Sequence, residues 1–406
     1  MTDRLYYNDS AQREFDAIIT RSEPRGERQA IWLDRTLFYP TTGGQPFDTG
    51  TIRLQPDSHG TDASRVVDVF EEAGDIVHLV EGADIPLSGG RVTARIDWTR
   101  RFDHMQQHTG QHVLSAAFVK RWGVKTVSFH LGSEASTIDL ERETTPQQIA
   151  AAEDDANAVV WEDRAVAIRY ASADDAASLP LRKESTRSGT LRLIDIDGWD
   201  LSACGGTHVT STGAVGLIAV AGWERFKGGQ RIEFVCGGRA LARLRQLRDI
   251  TASTVRLLST VPADIPAVVE RLQTEQREQK RMLAVQQTAL AGYQADELAA
   301  SAEPRPWGGM VIRTVDGDAA ALKALASAIV SRPALFVVLV SSSAPALVVA
   351  ARSSNVPVSC ADLIRSLTAR FGGKGGGKPD LAQAGGIAAE SAAIVAAARD
   401  LVTADL

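Results

Sequence analysis

The chain has 406 residues, a formal net charge of −6, 44% hydrophobic and 23% charged residues, the composition of a globular protein of two to four domains rather than a disordered or fibrous one. No run approaches the roughly 18 consecutive apolar residues of a membrane span, and the first residues lack the apolar core of a signal peptide. A cytoplasmic protein without a membrane partner is therefore expected, while the acidic balance does not exclude a nucleic-acid partner, because a local basic stripe can act on an acidic protein.

Residues 1–95 read as short alternating strands: Phe15–Ile19, Ala30–Leu33, Thr51–Leu54, Ser64–Phe70, Ile76–Val80 and Gly90–Arg95. Gly, Asp and Pro separate them, which predicts a small antiparallel β-barrel domain. Phe38–Gly50 breaks this pattern with two prolines, three glycines and aromatic residues. Its paired glycines allow close approach to a ligand or a neighbouring element, and a loop packed on its own aromatics accounts for it equally well.

Residues 96–238 alternate helices and strands. Asp97 to Trp122 is a helix that starts near Thr99 and stops at Gly123. Met105, His108, His112 and Ala116 share one face, and Gly110 in mid-helix costs about 1 kcal/mol relative to Ala, tolerable if a substrate or a strand passes closely there. Strands at Thr126–His130 and Ser136–Leu140 follow, then a helix to Glu162 capped by Thr145 with Pro146 at its first position. Ala165–Tyr170 is a strand, Ala173–Leu179 a short helix, and Arg192–Ile196 a strand that leads into a glycine-rich turn at Cys204. Ala214–Trp223 and Arg231–Val235 form a hairpin through Lys227-Gly228-Gly229.

Residues 239–303 are predicted to form a helical, coiled-coil-like linker interrupted by Pro262 and Pro266, with Leu244, Leu247, Ile250, Leu272, Met282, Leu283 and Leu290 at helical spacing. Glu303–Pro306 reads as a linker. Residues 304–406 alternate strand and helix as a small α/β domain: strands Met310–Thr314, Leu335–Ser341 and Ala346–Ala351, helices Ala319–Val330, Cys360–Phe371 and Ile387–Leu401. Gly372–Asp380 reads as a loop whose amides and two lysines suit a phosphate, or as a plain connector. The whole is an α+β chain.

The chemistry concentrates in two short motifs. His108-Thr109-Gly110-Gln111-His112 places two imidazoles on one face of a helix, one turn apart. Cys204-Gly205-Gly206-Thr207-His208 offers a thiolate and a further imidazole. Three nitrogens and one sulfur suit a tetrahedral Zn2+ held by His108, His112, Cys204 and His208. The first motif lacks the glutamate of His-Glu-x-x-His, which removes the metalloprotease reading. Three cysteines are too few for a disulfide framework. Cys236 and Cys360 read as buried thiols.

These motifs together resemble the editing half of alanyl-tRNA synthetase and its free-standing relatives, the alanyl-tRNA editing proteins. Phe38–Gly50 resembles the family's aromatic, proline and glycine stretch, the two His/Cys motifs its zinc half-sites, and Gly372–Gly386 the glycine-rich segment of the C-terminal domain shared with DHH phosphoesterases. The resemblance implies a zinc editing domain over residues 96–238 and a DHH-associated domain over 304–406. It also implies an enzyme acting in trans, since the start of the chain leaves no room for an aminoacylation domain. The implied reaction is deacylation of mischarged tRNA(Ala), with Ser-tRNA(Ala) favoured over Gly-tRNA(Ala). The other readings are a tRNA-binding module with a structural zinc, and a zinc hydrolase of another ester. His130, Thr109 and Gln111 are the expected catalytic residues, with Gln111 alternatively orienting an imidazole. Arg100, Arg101, Lys227, Lys374 and Lys378 are the expected tRNA contacts, and the helical linker with the C-terminal domain suggests a homodimer.

Overall fold

The computed structural model describes residues 1–55, 63–82, 88–182 and 189–404. The chain divides into two units, Met1–Ser253 and Thr254–Leu406.

In the first unit, six strands close into a barrel in the order Glu14–Arg25, Arg28–Leu33, Asp75–Glu81, Ser64–Glu72, Gly50–Gln55 and Arg91–Ile96. Alternation along each strand sends Phe15, Ala17 and Ile19 inward against Ile31, Leu33, Ile52 and Val92. The barrel predicted for residues 1–95 is therefore present.

The barrel leads into helix α1, Trp98–Trp122, around which the rest of the unit is built. Asp97 caps its start by accepting from the Arg100 N–H, and Gly123 ends it in the left-handed region at φ 64°. From His104 to Phe118 every α1 residue is buried. Val113, Leu114, Ala117 and Phe118 pack against Ile149, Ala152 and Ala156 of α2, Pro146–Trp161, whose Thr145–Gln148 capping box and Pro146 set its start. Two antiparallel sheets flank these helices. One has the order Ile218–Phe226, Gly229–Cys236, Ser136–Leu140, Thr126–Leu131, and the other the order Val166–Ser172, Thr190–Ile196, Asp200–Ala203. The short α3 spans Ala173–Ala177. The predicted hairpin is present but begins at Ile218, because Thr212–Val215 forms a 3-10 turn.

Gly110 is explained by a strand. A Cβ at this position would lie 2.3 Å from the Cys236 Sγ, at the end of Gly229–Cys236, so α1 and that strand meet where only hydrogen fits.

The predicted helical stretch is α4, Gly237–Leu258, a short 3-10 turn at Pro262–Asp264, and α5, Ile265–Ala300. In the second unit α5 buries Ala291 and Ala295 against α6, Ala319–Val330, through Leu322, Leu325, Ala326 and Ile329. A six-stranded sheet has the order Glu303–Arg305, Gly308–Val315, Leu335–Ser341, Ala346–Arg352, Leu381–Ile387, Lys374–Lys378. Its remaining helices are α7, Cys360–Phe371, and α8, Ser391–Ala404.

Three expectations are corrected here. Glu303–Arg305 is an edge strand rather than a linker. Gly372–Asp380 is not a phosphate loop, because Lys374–Lys378 pairs antiparallel with Leu381–Ile387. The last helix begins at Ser391, since Ile387 ends that strand. Glycine is required on the edge strand, as a Cβ at Gly375 would lie 2.5 Å from the Ala384 Cβ and one at Gly377 2.4 Å from the Ala382 Cα. Cys236 and Cys360 are buried, as expected. No helix among the described residues is long and apolar enough to cross a membrane.

Candidate metal centre

The ligand atoms of His108, His112, Cys204 and His208 all lie within 4.8 Å of one another. Cys204 Sγ is 3.3 Å from His108 Nε2 and 3.4 Å from His208 Nε2. Tetrahedral zinc bonds of about 2.0–2.3 Å put neighbouring donors about 3.3–3.7 Å apart, so the sulfur and these two nitrogens have the spacing of a filled site. Three imidazoles and one thiol form a borderline-soft donor set. The residues fit a zinc ion.

The outer side of each ring is also held. His108 Nδ1 lies 2.8 Å from Gln45 Oε1, His112 Nδ1 2.9 Å from Asp200 Oδ2, and His208 Nδ1 3.1 Å from Thr109 Oγ1. A carboxylate accepts only. The Gln45 oxygen is identified by the Thr207 N–H that donates to it at 3.2 Å, while Gln45 Nε2 donates to Thr207 Oγ1 at 2.8 Å. Nδ1 of His108 and of His112 therefore carries the proton, which leaves each Nε2 lone pair for a metal.

Charge follows the same arrangement. Burial pushes the Cys204 thiol up, but His108 and His208 outweigh it and hold the thiol well below its ordinary range. Burial pushes His208 down to about 3, so its ring is neutral. For His112, burial acts downward, and Asp200 and Cys204 more than offset it. Burial acts upward on Asp200, yet His112 and Arg182 hold it at about 2. Arg182 Nε donates to Asp200 Oδ1 at 2.7 Å, and the Ser202 hydroxyl donates to Asp200 Oδ2 at 2.9 Å.

Local sequence explains how these parts meet. Thr42 and Gln45 exchange backbone hydrogen bonds of 3.0 and 3.1 Å around Gly43 and Gly44, both at positive φ (57° and 84°), which makes a tight two-residue turn. Leu131 N–H donates to Gly44 O at 3.0 Å, docking the turn on strand Thr126–Leu131. The Phe38–Gly50 stretch thus serves to deliver Gln45 to His108. Gly206 is needed at the centre, because a Cβ there would lie 2.1 Å from His108 Cε1. Arg192 Nη1 donates to the carbonyls of Cys204 and Gly206 at 2.7 and 3.0 Å and holds that turn.

The other expected site residues lie outside the donor set. Thr109, fully buried, orients His208 and accepts from the Val209 N–H. Gln111 Nε2 donates to Ser115 Oγ at 2.8 Å and bonds no imidazole among the described residues. His130 is exposed. Strand alternation turns its neighbour Phe129 toward the cluster instead, with ring centroids 5.0 Å from His108. Arg101 is corrected as a tRNA contact. It is 0% exposed, as is Asp48, and donates from Nε to both carboxylate oxygens and from Nη1 to Ser10 O. This buried pair ties α1 to the Phe38–Gly50 stretch. Arg100 is half-buried, Nε to Phe47 O at 2.9 Å. Lys227 is exposed at the hairpin tip, and Lys374 and Lys378 are exposed on the edge strand of the second unit. Sequence spacing does not single out Gln45 or Asp200 as site residues.

Residues 2–100 match the family model "tRNA synthetases class II (A)", 191–233 the "Threonyl and Alanyl tRNA synthetase second additional domain", and 308–404 the "DHHA1 domain". The chain is similar to an alanyl-tRNA editing protein, AlaX-L, of Pyrococcus horikoshii, with 32% identity over 94% of both chains. It is also similar to the alanine–tRNA ligases of Pyrococcus abyssi (32% identity over 94% of this chain) and Methanoculleus marisnigri (33% over 95%). It spans only 42% and 41% of those ligases. With nearly the full length of both chains aligned at this identity, the chain belongs to the alanyl-tRNA editing protein family.

Proposed function

We propose that the protein is a trans-acting, zinc-dependent deacylase that hydrolyses the ester of mischarged tRNA(Ala), Ser-tRNA(Ala) first and Gly-tRNA(Ala) second. The observation that carries this reading is the buried donor cluster, in which every outer imidazole nitrogen has its own partner. Zn2+ bound by His108, His112, Cys204 and His208 would supply a Lewis acid able to polarise an ester or lower the pKa of water.

The chain's own groups provide the geometry. Gln45, Asp200 and Thr109 keep the three rings aimed inward, so little reorganisation remains when charge develops on the ester. The Phe129 ring covers one side of His108 and excludes water from it. A site that hydrogen-bonds the serine hydroxyl leaves polar groups unpaired when alanine binds, which favours the mischarged ester. Arg100, Lys227, Lys374 and Lys378 are the proposed phosphate contacts. The exposed Leu241, Leu244, Leu247 and Ile250 of α4 and Leu272, Met282 and Leu283 of α5 support pairing with a second copy.

A specific observation favours a second reading: four protein donors complete a tetrahedron, the pattern of a structural zinc in a tRNA-binding module. Deacylation of Ser-, Gly- and Ala-tRNA(Ala) by protein of measured zinc content separates the two. The deacylase reading expects hydrolysis of Ser-tRNA(Ala) that falls in proportion to the zinc removed by a chelator. Tight tRNA binding without hydrolysis would establish the other, and equal hydrolysis of the Ser and Ala esters would remove the specificity.

A further inference from the structure

One turn nearer the start of α1 than His108, the structure has a pocket of about 420 Å³ that contains none of the four donors. His104 lines it and is only 3% exposed, and its Nδ1 is buried without a hydrogen-bond partner. Burial pushes His104 down to about 4, against the pull of Asp48, so at neutral pH the ring is uncharged and presents one N–H and one lone pair.

Besides Pro46, the lining carries two arginines, Thr99, Ser133 and two carboxylates. Arg100 lies over the Phe47 ring, and its Nε donates to Phe47 O. This fixes the guanidinium plane, and the two terminal nitrogens take no partner among the described residues. Thr99 and Ser133 line the same space. Asp103 accepts from Arg239 at 2.7 and 2.8 Å, and Asp97 caps α1 through the Arg100 N–H. The pocket also sits at the positive end of a 25-residue helix. With Arg239 committed to Asp103 and Asp97 to the helix cap, Arg100 is the lining cation left for an anion.

Position narrows the anion. His104 and His108 are one turn apart, about 6 Å along the helix axis, which is the span from an esterified ribose hydroxyl to the phosphate on the same nucleoside. Pro46, in the pocket wall, directly follows Gln45, so a single turn borders both places.

We propose that this pocket seats the 5′-phosphate of the terminal nucleoside of the aminoacylated RNA, with His104 and Arg100 as its donors; this rests on reading the cluster as the esterase centre. Holding that phosphate fixes the nucleoside by a group every tRNA carries. Fidelity toward the amino acid then falls to the other end of the site.

Calorimetry of the zinc-loaded full chain with AMP and with adenosine isolates the phosphate. The wild type is expected to bind AMP about 10-fold more tightly than adenosine, the worth of one charge-assisted hydrogen bond. His104→Ala and Arg100→Ala, with zinc content retained, are expected to lose that preference, and His104→Asn, which keeps an N–H, to retain part of it. Equal affinity for the two ligands, or a full AMP preference in His104→Ala, overturns the proposal. Hydrolysis keeps this apart from the esterase reading. Equal kcat/KM on 2′(3′)-O-seryl-adenosine and 2′(3′)-O-seryl-AMP preserves the esterase and removes the phosphate seat. No hydrolysis of either, nor of Ser-tRNA(Ala), removes the esterase, and the AMP preference then decides whether an anion site exists at all.

Discussion

Gln45→Leu tests whether the Gly43–Gly44 turn serves the metal centre. The substitution keeps most of the side-chain volume, denies water the space, and removes three hydrogen bonds: from the His108 Nδ1–H at 2.8 Å, from the Thr207 N–H at 3.2 Å and to Thr207 Oγ1 at 2.8 Å. Thr207 is fully buried and His108 is 3% exposed, so these groups find no solvent in exchange. One buried donor left unsatisfied costs about 1–3 kcal/mol. The His108 ring also loses the contact that fixes its tautomer, and losing such a partner lowers metal affinity about 10- to 100-fold, or about 1.4–2.8 kcal/mol. Competition with a chromophoric chelator at fixed pH reads the affinity directly, and circular dichroism confirms that the barrel remains. Gln45→Glu retains the acceptor and is expected to stay within about threefold of the wild type, because an anionic acceptor strengthens the imidazole donor bond. Wild-type zinc affinity in Gln45→Leu would refute the reasoning.

Four further outcomes are expected. Asp48→Ala strands the buried Arg101 guanidinium and should cost about 3–5 kcal/mol, read as a lowered urea midpoint; a midpoint unchanged from wild type contradicts a buried pair. Gly206→Ala forces a Cβ into the His108 ring and should abolish stoichiometric zinc while leaving the barrel's circular dichroism in place; a fully loaded variant contradicts the packing. Asp200→Asn removes the charged acceptor from His112 Nδ1 and should weaken zinc about 10-fold or more, so unaltered retention against a chelator would show that Asp200 does not orient the ring. Acidification tests His78 in the barrel. Burial pushes its pKa down to about 4 from an ordinary 6.5, so between those values the unfolded chain binds more protons than the folded one. The stability is complete above pH 6.5 and lost as pH falls toward 4, by up to about 3 kcal/mol. His78→Gln should flatten that slope in urea titrations, and a wild-type midpoint constant from pH 7 to 4.5 counts against it.

What could be read from the sequence was whatever its spacing records locally. His108 and His112 share a helix face, and Cys204 and His208 share one turn, so each half of the cluster lies within five residues. The groups behind them do not. Gln45 lies 63 residues before His108, and Asp200 88 residues after His112, and neither leaves a periodic trace. Arg101 illustrates the opposite error. An Arg-Arg pair at a helix start resembles a solvated basic face, yet the second arginine turns inward to a carboxylate 53 residues away. His130 is exposed because strand alternation decides its side, and only the packing of Phe129 shows which side faces the cluster. The Gly372–Asp380 run reads as a loop because glycine has poor strand propensity, yet its lysines flank a paired strand. Its glycines are there for steric reasons, close against Ala382 and Ala384.

That same strand bears on solubility. Lys374–Lys378 is the last strand of its sheet and exposed along its length, and an open edge of this kind invites another chain to add to it. Its sequence, Lys-Gly-Gly-Gly-Lys, opposes addition of an identical strand in either direction. Paired antiparallel in full register, Lys374 faces Lys378 of the second copy; paired parallel, each lysine faces itself. Both arrangements place like charges directly across the ladder, which is unfavourable, and the three glycines between them offer no side chain for packing. The edge thereby resists self-templated aggregation.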